Sequence, residues 1–555
     1  MKKFKNTFAL FLSIVMLTSI CSAMPSYAQD ISSDIIMERS AQKALSAVEK
    51  RTQRIASGPI TSVSTCEELT AAIEAKATNI YLLQDIYLDK ALQIDYDVFF
   101  LADPQGKTIY AAAECRHIQI TSSNVQIQFD NIILNGNYSI NTKATISGGI
   151  DADNATDITI VGLNIQNCFS IAISNTLPDD TESSFSLYNC SFENNLSDCA
   201  DSYSTNILLY NVICENNGGG FLLGTNAAYP YENAVISDIS IYNTTIMNNK
   251  SSGIMLYNSN TFLDSNTLIE GNTSNFGGSG ISAENSHIES YATIKNNVTT
   301  RHGGGILLYN STATIQGGEI SYNKANTTVL SDQNYGGGIA IETDTANPSG
   351  DVIINNGILE GNQAAYGGAI GSAQSASYDY SPSYVKINGG TIRENGNEEI
   401  YPVNFTKTCE RGGGISAETV EITDGIIEKN LALIGAGVCA KNFIMSGGTI
   451  QDNGYFLNDN EEIIVQALGG GGVYAHETAT ITDGLIYSNM AKRGGGISIN
   501  GTFNLSAPAY IRYNTATSEG GGVYFSKRPD NNTGEIDYSR IRNNTAPNGA
   551  QYYPT

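Results

Sequence analysis

One phrase recurs along most of this chain: an aliphatic residue, two variable residues, an asparagine, a short polar turn, a glycine cluster, then another aliphatic. Ile294-Lys-Asn-Asn297 leads to Gly303-Gly-Gly-Ile306, and Ile511-Arg-Tyr-Asn514 leads to Gly520-Gly-Gly-Val523. The repeated asparagines read as Asn195, Asn216, Asn249, Asn272, Asn297, Asn323, Asn362, Asn395, Asn430, Asn453, Asn489, Asn514 and Asn544. Their closest separations are about 21 to 26 residues, the period of a solenoid. Between Gly496 and Asn514, period-2 runs (Ile497, Ile499; Phe503, Leu505; Ile511) alternate with turn chemistry, which predicts three short strands per coil. A flexible Gly/Asn-rich linker is excluded because the aliphatics keep register with the asparagines.

Such coils stack each strand on its copy in the previous coil, about 4.8 Å away. An asparagine recurring at one bend can then bond its neighbours' amides and satisfy the turn backbone. Glycines just past the bend are expected to supply its conformational freedom. The fold class is therefore all-β: a right-handed parallel β-helix with an N-terminal capping helix. That helix is predicted from Thr65 and Glu68, a capping box, followed by Leu69, Ala72, Ile73 and Ala77 at helical spacing before the strand Ile80 to Leu83.

Lys2, Lys3 and Lys5 precede an apolar run from Phe8 to Ile20 and a small-x-small pattern, Ser26-Tyr27-Ala28, so residues 1–28 read as a secretory signal peptide. The run is shorter than the roughly 20 residues a bilayer requires, and no second one follows, so no transmembrane segment is expected in the mature chain. Residues 29–58 read as a helical leader ending at Gly58-Pro59, and residues 59–555 as the β-helix. The expected location is secreted or extracellular, with attachment to a cell surface left open.

A net charge of -25 on a chain with 15% charged residues opposes binding to phosphate backbones, so no nucleic-acid partner is expected. The acidity is compatible with Ca2+, but no D-x-D-x-D-G loop specifies it. Beyond Cys21, eight cysteines lack both C-x-x-C spacing and a compact framework, which argues against a metal centre and names no disulfide pair.

The opening Thr65 to Leu83 and the coil spacing resemble the pectate-lyase-like right-handed β-helix superfamily. The Gly-Gly-Gly-Ile and Ile-x-x-Asn phrases, with Phe192-x-x-Asn195 as an aromatic variant, resemble the polymorphic outer membrane protein repeat. The second resemblance implies a surface protein or adhesin. The first implies a fold shared with enzymes that degrade acidic polysaccharides; their Asn-Thr-Asp, Gly-His-Gly and Arg-Ile-Lys phrases are absent here, so no catalytic residue carries over.

Aligning coils on the aliphatic after the glycines places Tyr257, Glu284, Tyr309, Glu342, Ala373, Glu418, Lys441 and His476 in one outward column three positions beyond it. Tyrosine faces and carboxylates in line suit a linear glycan, as platforms for sugar rings and acceptors for hydroxyls. A solvated sheet face would carry the same residue types. Four positions before that aliphatic, His302, Tyr335, Tyr366 and Arg411 form a second stripe, beside insertions at residues 324–335, 396–411 and 454–468. The ligand-binding candidates are thus Tyr257, Glu284, Tyr309, Glu342, Glu418, Tyr335 and Tyr366.

Three functions fit these columns: an adhesin-like protein that binds a glycan or a host or cell surface, a polysaccharide lyase or glycoside hydrolase, and a passive stalk. For a hydrolase the pair to consider is Glu284 and Glu342, two coils or about 9.6 Å apart. For a lyase, His302 and Arg411 are the basic candidates. The binding function is preferred, because the repeat specifies architecture more strongly than chemistry.

Overall fold

The computed structural model describes residues 33–112, 114–137, 147–177, 182–225, 235–325, 334–344, 350–373, 380–396, 409–457, 463–526 and 534–553. The proposed signal peptide lies outside the described residues, as do 326–333 of the insertion at 324–335, 397–408 of that at 396–411 and 458–462 of that at 454–468, where Tyr455–Leu457 pairs antiparallel with Ile463–Gly469. The chain divides into two compact units, Met1–Gly58 and Pro59–Thr555. The first contains α1 (Ser33–Ala56). No described helix is long and apolar enough to cross a membrane.

The second unit is a right-handed parallel β-helix. Each coil carries three strands, represented by Ile281–Glu284, His287–Ser290 and Thr293–Lys295. Each pairs in parallel with its counterpart one coil later: Ile281 with Ile306, Ile288 with Ala313 and Ile294 with Ile320. The result is a first, a second and a third sheet running along the solenoid. Alternate side chains point inward, so Ile281, Ala283, Ile288 and Ile294 are buried in one continuous core while Ser282 and Glu284 face out. Residues of every described coil contribute to that core, from Val63 to Ile541.

The amino-terminal coil is covered by α2 (Cys66–Glu74), which buries Leu69, Ala72 and Ile73. Thr65 caps it by accepting from the Glu68 amide at 3.1 Å, and the Glu68 carboxylate accepts from the Ser64 amide at 2.6 Å. The box is thus shifted by one residue at its return arm.

The asparagine ladder holds the bend after the third sheet. The Asn297 amide and Nδ2 both donate to Asn323 Oδ1 at 3.0 Å, and Nδ2 also donates to the Ile269 carbonyl at 3.0 Å. Asn297 Oδ1 in turn accepts from the Asn272 amide at 2.9 Å and from Asn272 Nδ2 at 3.0 Å. Both Nδ2 protons and the carbonyl are therefore used while the side chain is fully buried. The pattern runs from Asn195, whose Oδ1 accepts from the Cys168 amide at 2.9 Å, to Asn544, whose amide and Nδ2 donate to Gln551 Oε1 at 3.3 and 3.1 Å.

One rung differs from the sequence reading: Asn217, not Asn216, is in the ladder, donating from Nδ2 to Asn249 Oδ1 at 3.1 Å. Cys214 occupies the aliphatic place, so the phrase there is Cys214-Glu-Asn-Asn217. Asn216 is exposed and adopts the left-handed conformation, φ 58°. The same conformation precedes the ladder residue in each coil, at Asn296 (φ 56°), Tyr322 (φ 53°) and Lys429 (φ 54°), for example. The sharp bend therefore lies before the asparagine, at a position that glycine seldom fills.

The glycines serve a second corner, each for a separate reason. Gly303 is left-handed at φ +67°, a Cβ on Gly304 would come within 2.5 Å of the Lys324 amide, and one on Gly305 would lie 2.6 Å from the Gly338 carbonyl. A single disulfide, Cys199–Cys214, is present among the described cysteines; Cys115, Cys168, Cys190, Cys409 and Cys439 are buried thiols.

Asn217→Ala removes a side chain that accepts from Asn195 and donates to Phe192 and Asn249, stranding buried partners at both neighbouring coils. It should destabilise the solenoid by roughly 3 kcal/mol, whereas Asn216→Gly, at an exposed left-handed position, should change stability by less than about 0.5 kcal/mol. Denaturant midpoints of the two variants check this; equal effects would contradict the assigned rung.

Candidate functional site

The first sheet carries the outward column. Tyr257 pairs with Glu284, Glu284 with Tyr309, and Tyr309 with Glu342. All four side chains are half-buried, and the first three rim a depression of ≈ 260 Å³ lined by Leu256, Tyr257, Ser282, Ala283, Glu284, Leu307 and Tyr309. Burial, then the charges of Glu284 and Asp201, hold the Tyr257 hydroxyl above the ordinary phenol range, so it remains a neutral donor. Upstream, Gly224 pairs with Tyr257 and opens the column beside it. Downstream, Lys441 neutralises Glu418 at 3.4 Å and Glu477 at 3.8 Å, so the far end is internally compensated.

Glu284 and Glu342 lie two coils apart with Tyr309 between them. Glu342 is also hydrogen-bonded to Tyr335, whose hydroxyl is driven up first by burial and then by that carboxylate. The column therefore alternates aromatic and acidic groups at a repeat of about 4.8 Å, so its geometry suits extended contact along the sheet.

The corner stripe is built differently from a solvent-facing row. His302 stacks on Tyr335 with ring centroids 3.8 Å apart, Tyr335 bridges to Tyr366 and Tyr366 to Arg411, whose guanidinium sits 5.6 Å from the Tyr366 ring. Tyr335, Tyr366 and Arg411 are only 6%, 2% and 9% exposed. The two tyrosines pack on Leu307 and Ala340, outward residues of the first sheet. Residues expected to meet a ligand are thus taken up in a second layer that folds over the sheet. His302 and Arg411 are separated by the two tyrosines, about 14 Å of stacking, and do not converge on one reacting atom.

A carboxyl cluster escaped the sequence reading. Asp201 is 9% exposed, its Oδ1 has no hydrogen-bond partner, and its carboxyl is pushed up to about 7 by burial and then by Asp198 and Asp153, with Arg116 opposing. Asp153 is fixed by the Ser174 hydroxyl and the Thr176 amide, each donating at 2.8 Å. Extending the column alignment upstream, from Phe221 to its register partner Ala200, would have placed Asp201 and Tyr203 on the same outer face. Both Tyr203 and Tyr257 feel the Asp201 charge, so this cluster adjoins the column. Among the described residues no three His, Cys, Asp or Glu side chains gather in a metal-binding arrangement.

A second aromatic series, Tyr188, Tyr210, Tyr242, Phe262 and Tyr291, runs ring to ring at 5.5 to 6.4 Å over successive coils. Tyr188, Tyr242 and Phe262 are buried, so this series packs the solenoid and offers little face to a ligand.

The architecture defines a parallel β-helix solenoid with a glycine corner and an internal asparagine ladder. No family model matches the chain, and no solved structure matches it significantly. A stretch of it is similar to the Adhesin BmaC autotransporter of Brucella suis biovar 1 (strain 1330), at 29% identity over 221 residues. That match covers 36% of this chain and 6% of the relative's length.

The raised Asp201 group gives a signed pH effect. Its folded-state value lies above the ordinary aspartate range, so its contribution to stability is complete below about pH 4 and is lost as the pH rises through about 7. Asp201→Asn should leave the unfolding midpoint nearly unchanged near pH 3, where both states are protonated, and raise it at pH 8. A variant no more stable than the parent at pH 8 would contradict the burial of an ionisable acid there.

Proposed function

We propose that this chain is an adhesin-like extracellular protein that binds a linear glycan along the outer face of its first sheet. The carrying observation is the register-matched column Tyr257, Glu284, Tyr309 and Glu342 beside a half-enclosed depression. Tyrosines on alternate coils offer apolar faces with polar tips, and the intervening carboxylates accept from hydroxyls, which is the pairing that sugar rings require. The similarity of part of the chain to a protein named as an adhesin supports the same reading, as does the signal-peptide pattern at residues 1–28. A rigid repeat that multiplies one contact along its length also suits adhesion, where several weak contacts must act together.

A polysaccharide-cleaving function draws on one specific observation. Asp201 is an acid that stays largely protonated below neutrality beside two further carboxyls, the condition for general acid catalysis at a glycosidic oxygen. Against it, Asp201 is nearly inaccessible, whereas the depression that would receive a ligand lies toward Tyr309.

The full chain incubated with neutral and acidic polysaccharides, assayed both for retention and for new reducing or unsaturated ends, separates the two. Binding predicts saturable retention without products, weakened about fivefold or more by Tyr309→Ala. Depolymerisation abolished by Asp201→Asn or Glu284→Gln would replace adhesion with catalysis.

A further inference from the structure

The last described coils differ in charge from the rest of the molecule. Residues 485–555 hold seven Lys or Arg against four Asp or Glu, within a chain whose net charge is -25. Three of those arginines meet on one tyrosine of the third sheet. Arg512, Arg540 and Arg542 place their guanidinium carbons 5.6, 5.0 and 4.5 Å from the centre of the Tyr510 ring. Arg512 also lies 5.8 Å from the Tyr513 ring. The grouping is dictated by register: Tyr487 pairs with Arg512 and Arg512 with Arg542, so they form one outward column beside Tyr510.

These guanidinium groups are not equally satisfied. Arg540 is held by Asp537 at 3.2 Å and donates to the Tyr510 hydroxyl at 2.8 Å, which fixes both the arginine and the ring. Arg512 Nε is buried without a hydrogen-bond partner, and neither Arg512 nor Arg542 has a carboxylate within ion-pair distance among the described residues. Nearby acids are otherwise engaged or turned away: Glu519 pairs with Arg493 at 3.0 Å, and Glu535 is exposed on the second sheet, its carbonyl accepting from the Leu505 amide. Stacking on Tyr510 preorganises two uncompensated cations whose N–H groups match planar or tetrahedral oxyanions.

We propose that Tyr487, Tyr510, Arg512, Tyr513 and Arg542 form a second binding surface, which takes a polysaccharide bearing carboxylate or sulfate groups. The tyrosines offer faces to sugar rings while Arg512 and Arg542 take the anionic substituents on successive coils. A polymer with widely spaced charges is favoured over nucleic acid, whose phosphate density would bring it against the strongly acidic coils upstream. This surface is independent of the Tyr257 to Glu342 column, being on another sheet and selecting opposite chemistry.

The test uses the full chain, with keratan sulfate as the sulfated probe, hyaluronan as the carboxylated probe, and dextran and a single-stranded oligonucleotide for comparison. Retention of either acidic polysaccharide, weakening with salt and absent for dextran, is expected; which probe is held identifies the oxyanion. Arg512→Gln/Arg542→Gln should raise Kd at least about tenfold, and Arg542→Gln alone, at an exposed position, should raise it about fivefold. Lys90→Gln/Lys250→Gln, the same charge change at two exposed sites elsewhere, should leave it within about twofold. The proposal is overturned if neither acidic polysaccharide is retained at low salt. It also fails if the arginine variants bind as the parent does, or if the oligonucleotide binds more tightly than either polysaccharide.

Discussion

From Asn195 to Asn544 each coil must bury a bend whose backbone groups have no strand to pair with, and the asparagine ladder is how that is done. The side chain of an interior rung such as Asn297 accepts two hydrogen bonds from the preceding asparagine and gives two, one forward to the next side-chain carbonyl oxygen and one back to an aliphatic residue's carbonyl. No apolar residue of that size does this, and glutamine would place its amide one carbon further out. Because a rung's partners belong to the coils on either side, the interaction also fixes how far one coil is rotated over the next. Stability is thus shared between neighbours, as expected of a solenoid.

The outward columns are consequences of that register. Once Asn272, Asn297 and Asn323 are in line, Glu284, Tyr309 and Glu342 are held in line on the far side of the core, whatever the intervening loops do. The glycine corner adds a second constraint: backbone packs on backbone there, so side chains that would widen it are excluded and the first sheet keeps an even spacing. Insertions enter between the asparagine and the glycines and also between the first and second sheets, as between Ile370–Ser372 and Tyr384–Ile387. The end of the insertion at 324–335 returns Tyr335, which packs with Tyr366 of the next corner to cover the first sheet. The same scaffold therefore carries an acidic, tyrosine-lined column on one sheet and an arginine-tyrosine cluster on another, without any change in fold.

Much of this was legible in the sequence because a parallel stack demands the same residue at the same place in each coil. The strands and the Tyr257 to Glu342 column follow from that alone, whereas the capping helix follows from the Thr65 and Glu68 box and the helical spacing after it. The rung at Asn217 was displaced by one because Cys214 stands where an aliphatic was sought. Burial of Tyr335, Tyr366 and Arg411 was not legible, since it arises from bridges between corner residues of different coils. Asp201 was missed because the upstream coils lack the glycine phrase used for alignment, so that Ala200 was not recognised as the register partner of Phe221. The Cys199–Cys214 bond joins a corner to the third sheet, a proximity that spacing alone does not specify.

The central claim is that the chain from the first asparagine rung onward is one uninterrupted stack in this register. Thr293 and Leu485 are both half-exposed in the same column of the third sheet and are joined by successive pairings through Glu319, Ile358, Thr391, Ile426 and Thr449. Six coil steps separate them, so spin labels introduced there should report a narrow distance distribution centred near 29 Å by double electron-electron resonance. A broad distribution, or a centre displaced by more than about one coil, roughly 5 Å, would contradict the stack.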